Sequence, residues 1–411
     1  MIESPNSLAE SARRASVARF DRDDPIVVVA ARRTPIGKFM GALAARTSVE
    51  LGIQATQAVL TELPPVEIDR VVFGLARPAG VGPNPARQVT VRAGLGTNTP
   101  AETVNMACAS GLEAIALGAR LISTGEAQWV VAGGMESMSR APFLLDRFRG
   151  GYRLGHGVVE DSMYRDGFSC PLAGQLMGET AEALAREYEI GREEQDAFAL
   201  ESQQRAARAA ASGRFDRELV TVAADAATKA PALDRDEQVR PDVTLEALGK
   251  LSPVFSRDGT VTAGNSSGLT DGAAVVVLTR ASLASAAGVP PLARFVGLAS
   301  AGVDPRVMGI GPVPAVRRLL SDLDLSIDAM DLIELNEAFA AQVLACDREL
   351  KFDRARLNVN GGAIALGHPI GCSGARIVVT LLHEMQTRGA ARGLATLCVS
   401  GGLGVAALFE R

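Results

Sequence analysis

Apolar and polar positions along the chain change period several times, and the changes mark out elements. "PIVVVAA" from Pro25 is an unbroken apolar run and predicts a strand buried on both faces. "SVELGIQATQAVLTEL" from Ser48 spaces its apolar residues for one helix face, and Pro64 and Pro65 end it. "DRVVFGLA" predicts a second strand, and "NPARQVTVRAG" a short helix closing at Gly94. Strand and helix keep alternating, which predicts layered α/β architecture.

One pattern occurs twice. "CASGLEAIALGARLISTGEAQWVVAGGME" runs from Cys108 to Glu136, and "CSGARIVVTLLHEMQTRGAARGLATLCVSGGLG" from Cys372 to Gly404. Each opens on Cys and Ser-Gly, continues as a helix, breaks at glycine, forms an apolar strand and ends in Gly-Gly. Two similar α/β halves are expected, each presenting a loop and a helix N-terminus of one kind. Between them, from about Arg140 to Gly268, the alternation stops. An irregular stretch rich in Gly, Arg and Met precedes two helical ones, "GETAEALAREY" and "REEQDAFALESQQRAARAAAS". It predicts an insertion with a functional or assembly role.

Composition narrows the class. The chain has 411 residues, 47% hydrophobic and 22% charged, which suits a globular protein of two or three domain-sized units. A net charge of −5 argues against nucleic acid as the main partner, though not against an anionic ligand on a local basic patch. Runs such as "AAVVVL" are too short to span a bilayer. Five scattered cysteines without a CxxC pair suggest neither a disulfide framework nor structural zinc, and a cytoplasmic location is expected. Residues 1–24 are separate in character. "SLAESARRASVARF" reads as a disordered or helical arm, with an organellar presequence as the alternative.

Four residues stand out. Cys108 follows strand-like "AETVN" and precedes a helix; the helix dipole would favour its thiolate, while an inert buried cysteine is the alternative. Cys398 ends the apolar "GLATLC" and enters "VSGGLG", where free backbone N–H groups suit an oxyanion; a core cysteine is the alternative. His368 lies among glycines that admit a ligand, before Pro369; a structural histidine is the alternative. Asn336 in "ELNEAFAAQ" sits near a helix cap position, where an ordinary N-cap is the alternative.

Together "VNMACASGLEA", "AGGMESMSRAP", "TVTAGNSSGLTDGAA", "ELNEAFAAQ", "NVNGGAIALGHPIGCSGAR" and "LCVSGGLG" resemble the motifs of the thiolases, in colinear order from about Pro25 to Arg411. The resemblance implies a duplicated βαβαβαββ core in five layers (αβαβα) with an inserted loop domain. It divides the chain into an arm (1–24), an N-terminal domain (25–140 with 269–290), a loop domain (141–268) and a C-terminal domain (291–411). It implies acetyl-CoA C-acyltransferase activity: reversible thiolysis of 3-ketoacyl-CoA, or Claisen condensation of acetyl-CoA. Coenzyme A would be substrate and product, with no cofactor and no metal, and the chain would form a homodimer or homotetramer.

By motif position, Cys108 resembles the nucleophile that carries the acyl group as a thioester. His368 resembles the base that activates it, and Cys398 the acid/base that moves a proton on the α-carbon of acetyl-CoA. Asn336 resembles the holder of a water beside His368, and the backbone N–H groups of Cys108 and Ser400 an oxyanion site. Ser267, Leu176, Met177, Ala338, Phe339 and Met308 would line the pantetheine and acyl channel, with arginines or Lys229 at the phosphates. Two departures stand out: Ser400 replaces a usual glycine, and Leu176 stands where short-chain biosynthetic members commonly have histidine. Longer 3-ketoacyl chains therefore come into view. The rivals are a decarboxylating condensing enzyme, which the second cysteine argues against, and a non-catalytic acyl-CoA binder, which would have little use for Cys108 and His368.

Overall fold

The computed structural model describes residues 5–20, 23–227 and 229–411. The first half runs β2 (Ile26–Arg33), α2 (Ser48–Leu60), β3 (Arg70–Gly74), α3 (Pro85–Arg92), β4 (Ala101–Val104), α4 (Ser110–Ser123), β5 (Val130–Ser137) and β6 (Thr270–Arg280). The second runs β7 (Ala293–Gly302), α8 (Pro312–Asp322), β8 (Leu332–Leu335), α9 (Ala340–Leu350), α10 (Ile370–Arg388), β9 (Arg392–Val399) and β10 (Leu403–Glu410). Three further helices complete the labels: α1 (Pro5–Arg14), α5 (Met177–Glu187) and α6 (Arg192–Ala211). A last one, α7 (Ala281–Ala286), follows β6. The expected βαβαβαββ order is present in the first half. In the second, the counterpart of β4 is reduced to one parallel bridge, Ile333 with Leu357.

Sheet order repeats as well. The first half reads β4-β3-β5-β6-β2 and the second β8-β9-β10-β7, with parallel pairs β3/β4, β3/β5 and β8/β9. Among the described residues, two rungs, Ala293 with Val28 and Arg294 with Val27, join the half-sheets. Alternate side chains of each strand point to opposite faces, and this sets the layers. Val130 and Ala132 of β5, and Val405 and Ala407 of β10, face one shared core with α4 and α10. Val131 faces outward onto α2 and α3. Ala406 and Leu408 face outward onto α8 and α9. The result is the expected αβαβα stack.

Glycine lets the two central helices touch backbone to backbone. A Cβ on Gly111 would lie 2.7 Å from Ala375 N, and one on Gly374 would lie 2.5 Å from Leu112 N. The contacts are reciprocal, because Gly111 and Gly374 occupy matching places in the repeated Cys/Ser-Gly motif. Matching serines act alike too. Ser110 Oγ donates to Ala107 O at 2.6 Å, and Ser373 Oγ to Pro369 O at 3.0 Å, so each first-turn hydroxyl holds the loop just before its helix.

The inserted residues leave β5 and return as β6. Arg33 at the end of β2 anchors them. Its guanidinium is buried and meets Glu218 at 2.6 Å and both oxygens of Asp236 at 2.7 and 2.9 Å. Residues 5–20 take the helical alternative over α1 and then, unlike a free arm, join the sheet. Strand β1 (Ser16–Arg19) follows α1 and adds antiparallel to β7, Ser16 opposite Ser300. Leu8 is buried with α8 of the outer layer, and Phe20 packs on Phe295 with ring centroids 5.0 Å apart.

These two packings predict opposite phenotypes. Phe20→Ala should cost about 3 kcal/mol of stability in a denaturant titration while leaving turnover unchanged. Gly374→Ala forces a methyl against fixed backbone and should cost about 1–3 kcal/mol or more and also lose turnover. Normal turnover in Gly374→Ala would show that the helices can part without disturbing the loops ahead of them.

Candidate active site

Cys108, His368, Cys398 and Ser400 line one cavity of about 450 Å³, together with Ser267, Leu176, Met177, Ala338, Phe339 and Met308. Residues from both halves and the insertion thus meet in one place. Asn336 is not on the wall. It lies fully buried after β8, and neither its Oδ1 nor its Nδ2 has a hydrogen-bond partner. Nor is it a helix cap: α9 starts at Ala340, with Phe339 as its N-cap. Leaving an amide unsatisfied at this depth costs about 1–3 kcal/mol, so Asn336 is suited to a small polar guest. Lys229 does not line the cavity, whereas Arg77, Gln238 and Arg240 do.

Cys108 is placed by a strained turn. The residue before it, Ala107, has φ of +45°, a left-handed value uncommon for a residue with a side chain. The Asn105 side chain accepts from Ala107 N at 2.9 Å, and Ser110 Oγ accepts from Met106 N at 2.9 Å. Cys108 itself lies in a 3₁₀ turn, Ala107–Ala109, ahead of α4. The placement ahead of a helix is as expected; the expected thiolate is not, and the reason is burial. Burial pushes the Cys108 thiol up, against the N–H groups of Ser400 and Cys108 and the Arg77 charge, which pull it down. The side chain itself is only partly buried.

His368 is held from behind. Its Nδ1 lies 2.6 Å from Ser373 Oγ, whose own proton goes to Pro369 O. Nδ1 is therefore the protonated nitrogen, and the partnerless Nε2 keeps its lone pair. Burial, with the Arg376 and Arg77 charges, lowers the imidazole to about 3, so it is neutral at physiological pH. Its backbone N–H donates to Gly268 O at 3.1 Å, and Ser267 N to Ala338 O at 3.0 Å. The loop between the insertion and β6 thus joins the His368 and Phe339 segments. Glu182 of α5 organises that loop by accepting from Thr260 N and Val261 N.

Cys398 closes β9, opposite Gly404 of β10, and is buried with Met308 and Ala338. Burial first, and then the neighbouring Cys108, drives its thiol well above the ordinary range. The replacement of glycine at Ser400 causes no strain, because the left-handed positions of the turn are Gly401 and Gly402, at φ of +89° and +85°. Tyr164, Phe168 and Phe255 also line the cavity and were not singled out from sequence. They lie in irregular segments without periodicity. Glu136 was missed too, although a lone acid in the apolar run "VVAGGME" was a usable signal.

Among the described residues, no cluster of three or more His, Cys, Asp or Glu is placed to hold a metal, and no helix is long and apolar enough to cross a membrane. The model of the thiolase N-terminal domain matches residues 26–282, and that of the C-terminal domain residues 289–411. An acetyl-CoA acetyltransferase of Pseudomonas aeruginosa is 52% identical over 389 residues, covering 94% of this chain and 99% of the relative. One from Escherichia coli is 51% identical over 388 residues, covering 94% and 98%. The crystal structure of human mitochondrial 3-ketoacyl-CoA thiolase superposes with a TM-score of 0.91 at 42% identity, covering 94% of this chain and 99% of that one. With the repeated halves, the shared cavity and these matches over nearly its whole length, the chain belongs to the thiolase family.

Proposed function

We propose that this acyltransferase forms and cleaves 3-ketoacyl-CoA through a thioester on Cys108. The observation that carries the reading is the meeting of two cysteines and a neutral histidine in one cavity. His368 Nε2 takes the thiol proton while Cys108 Sγ attacks the acetyl-CoA carbonyl. The N–H groups of Cys108 and Ser400 face the sulfur and suit the oxyanion that forms beside it. Coenzyme A leaves as the thiol on a proton from Cys398, whose sulfur becomes the thiolate, while His368 keeps the Cys108 proton on Nε2. A second acetyl-CoA then presents its α-carbon to Cys398. A thiolate raised this far by burial is a strong base, as removal of a weakly acidic α-proton requires. His368 with a water on Asn336 would hold the enolate oxygen. The enolate carbon attacks the Cys108 thioester, and the released sulfur regains its proton. The reverse sequence is thiolysis.

The two cysteines are separable by experiment. Cys108→Ala should show no acetyl adduct by mass spectrometry after incubation with acetyl-CoA. Cys398→Ala should still acetylate at Cys108 but lose condensation and α-proton exchange by about 10² to 10⁴. An adduct on Cys398 or Cys372 would sink the assignment, as would near-normal condensation by Cys398→Ala.

Residues 141–268 are read as the loop domain that receives coenzyme A, with Arg240 at the cavity wall as the first candidate for its phosphates. One solved relative is a human mitochondrial 3-ketoacyl-CoA thiolase in complex with CoA. Leu176, Met177, Phe339 and Met308 make the acyl side apolar, which favours chains beyond acetoacetyl. A turnover panel from acetoacetyl-CoA to medium and long 3-ketoacyl-CoAs tests this. Leu176→His should lower kcat/KM for the longer chains relative to acetoacetyl-CoA. An unchanged ratio would remove Leu176 from specificity.

A homo-oligomer is the third part of the reading. The hairpin pairing Phe143–Leu145 with Val159–Asp161 exposes Phe143 at 67%, and Leu154 beyond it is 98% exposed. Apolar surface of this kind marks a protein interface. Sedimentation analysis should give a dimer or tetramer, with Phe143→Asp reducing the larger form. A monomeric wild-type chain would exclude it.

A further inference from the structure

Glu136 is a fully buried carboxyl at the end of β5 with no part in the chemistry above. Its Oε2 accepts from Gly371 N at 2.9 Å and Ala76 N at 3.1 Å, and its Oε1 from Arg77 N at 3.3 Å. Gly371 opens α10, three residues after His368, and belongs to the second half. Ala76 and Arg77 follow β3, and Arg77 lines the cavity beside Cys108. One carboxyl therefore ties the start of the helix that follows His368 to two segments of the cysteine-bearing half. It also places an acid at a helix N-terminus, where a negative charge is favoured.

We propose that Glu136 is a positioning residue for this active site: it fixes the start of α10, just after His368, against the loop after β3, whose Ala76 O accepts from Asn105 Nδ2 of the Cys108 turn at 3.3 Å. The proposal rests on Cys108 and His368 as the working pair.

The electrostatics are consistent with the geometry. Burial pushes the Glu136 carboxyl up to about 7, while Arg77 and the three N–H donors hold it down, so it changes charge near neutrality. The groups bearing on Cys108 are known. Arg77 and the N–H groups of Ser400 and Cys108 favour its thiolate, and Glu136 opposes it. Cys398, from β9, lies close enough to feel the Cys108 charge, and neutral His368 shares the cavity wall. Glu136 also bears on Cys372 of α10, a buried thiol outside the cavity. A free carboxylate beside a nucleophile that must ionise would be a handicap. Held by three donors, it instead sets the α10 start against the loop after β3, on which Asn105 of the Cys108 turn also rests.

The sign of the test follows. Removing a negative charge near a thiol lowers the thiol's pKa. In Glu136→Gln, alkylation of Cys108 by iodoacetamide, followed by peptide mass spectrometry, should shift its midpoint to lower pH. Turnover should fall by about 10²-fold, because the loops lose their tie, with KM for acetyl-CoA near wild type. Glu136→Asp keeps the charge but draws it back by one methylene. Its alkylation profile should stay close to wild type while kcat falls. The acetyl adduct on Cys108 in the wild-type protein is measured alongside. If that adduct forms and both variants keep wild-type kcat and alkylation profiles, the role of Glu136 is overturned while the Cys108 assignment stands. If Glu136→Gln does not fold, the Asp variant decides: a wild-type kcat there overturns the proposal, and a reduced kcat with an unshifted profile supports it.

Discussion

The structure depends on two backbones being able to touch. Helices α4 and α10 cross in the middle layer with Gly111 against Ala375 and Gly374 against Leu112. Ordinary helix pairs stand 8–10 Å apart because side chains intervene. Here the side chains are absent at the crossing, so the loops ahead of each helix come together. One loop carries Cys108, the other His368. A duplicated half has thus produced a two-part site, in which each copy contributes a different chemical group from the loop ahead of its central helix. The first-turn serines show the shared origin of the device: Ser110 braces the cysteine turn and Ser373 braces the histidine.

Burial is the second constraint, and it works in opposite directions on the groups it surrounds. It keeps the His368 imidazole neutral and pushes both cysteine thiols up. No stable thiolate–imidazolium pair is needed at rest. A neutral base with a free Nε2 beside a thiol can accept a proton as the sulfur attacks, when the N–H groups of Cys108 and Ser400 meet developing charge. Fixed dipoles are most effective in such a site, because they need not reorganise. The same burial makes the Asn336 amide informative: no protein group bonds it, and buried polar groups are held by a partner, protein or water.

The insertion supplies what the duplicated core lacks. The core presents reactive groups at one end of its central helices but offers little wall around them. Met177, Phe255 and Ser267 come from the inserted residues, and Phe255 meets Phe339 of the second half edge to face at 6.2 Å. Arg33, paired with Glu218 and Asp236 without solvent, fixes that wall to β2. Breaking such a pair strands a buried charge, which costs about 3–5 kcal/mol. The anchoring is therefore specific as well as firm.

Much of this was legible in the residues themselves. Apolar runs and helical periods located β2, α2, β3 and α3, because a strand or helix with a buried face must write its period into the sequence. The repeated Cys/Ser-Gly motif predicted two halves, and the motifs together singled out Cys108, His368 and Cys398. Sequence could not decide protonation: a helix start argued for a Cys108 thiolate, but the burial that outweighs it comes from residues hundreds of positions away. Nor could it turn residues 5–20 into an added strand, since four residues gain strand geometry only from a partner, here β7. Glu136 shows the division most plainly. Its place in an apolar strand was visible in one dimension, but its three donors come from two distant segments. Only the folded chain brings Ala76, Arg77 and Gly371 around one carboxyl, because hydrogen bonds are made between neighbours in space and not along the sequence.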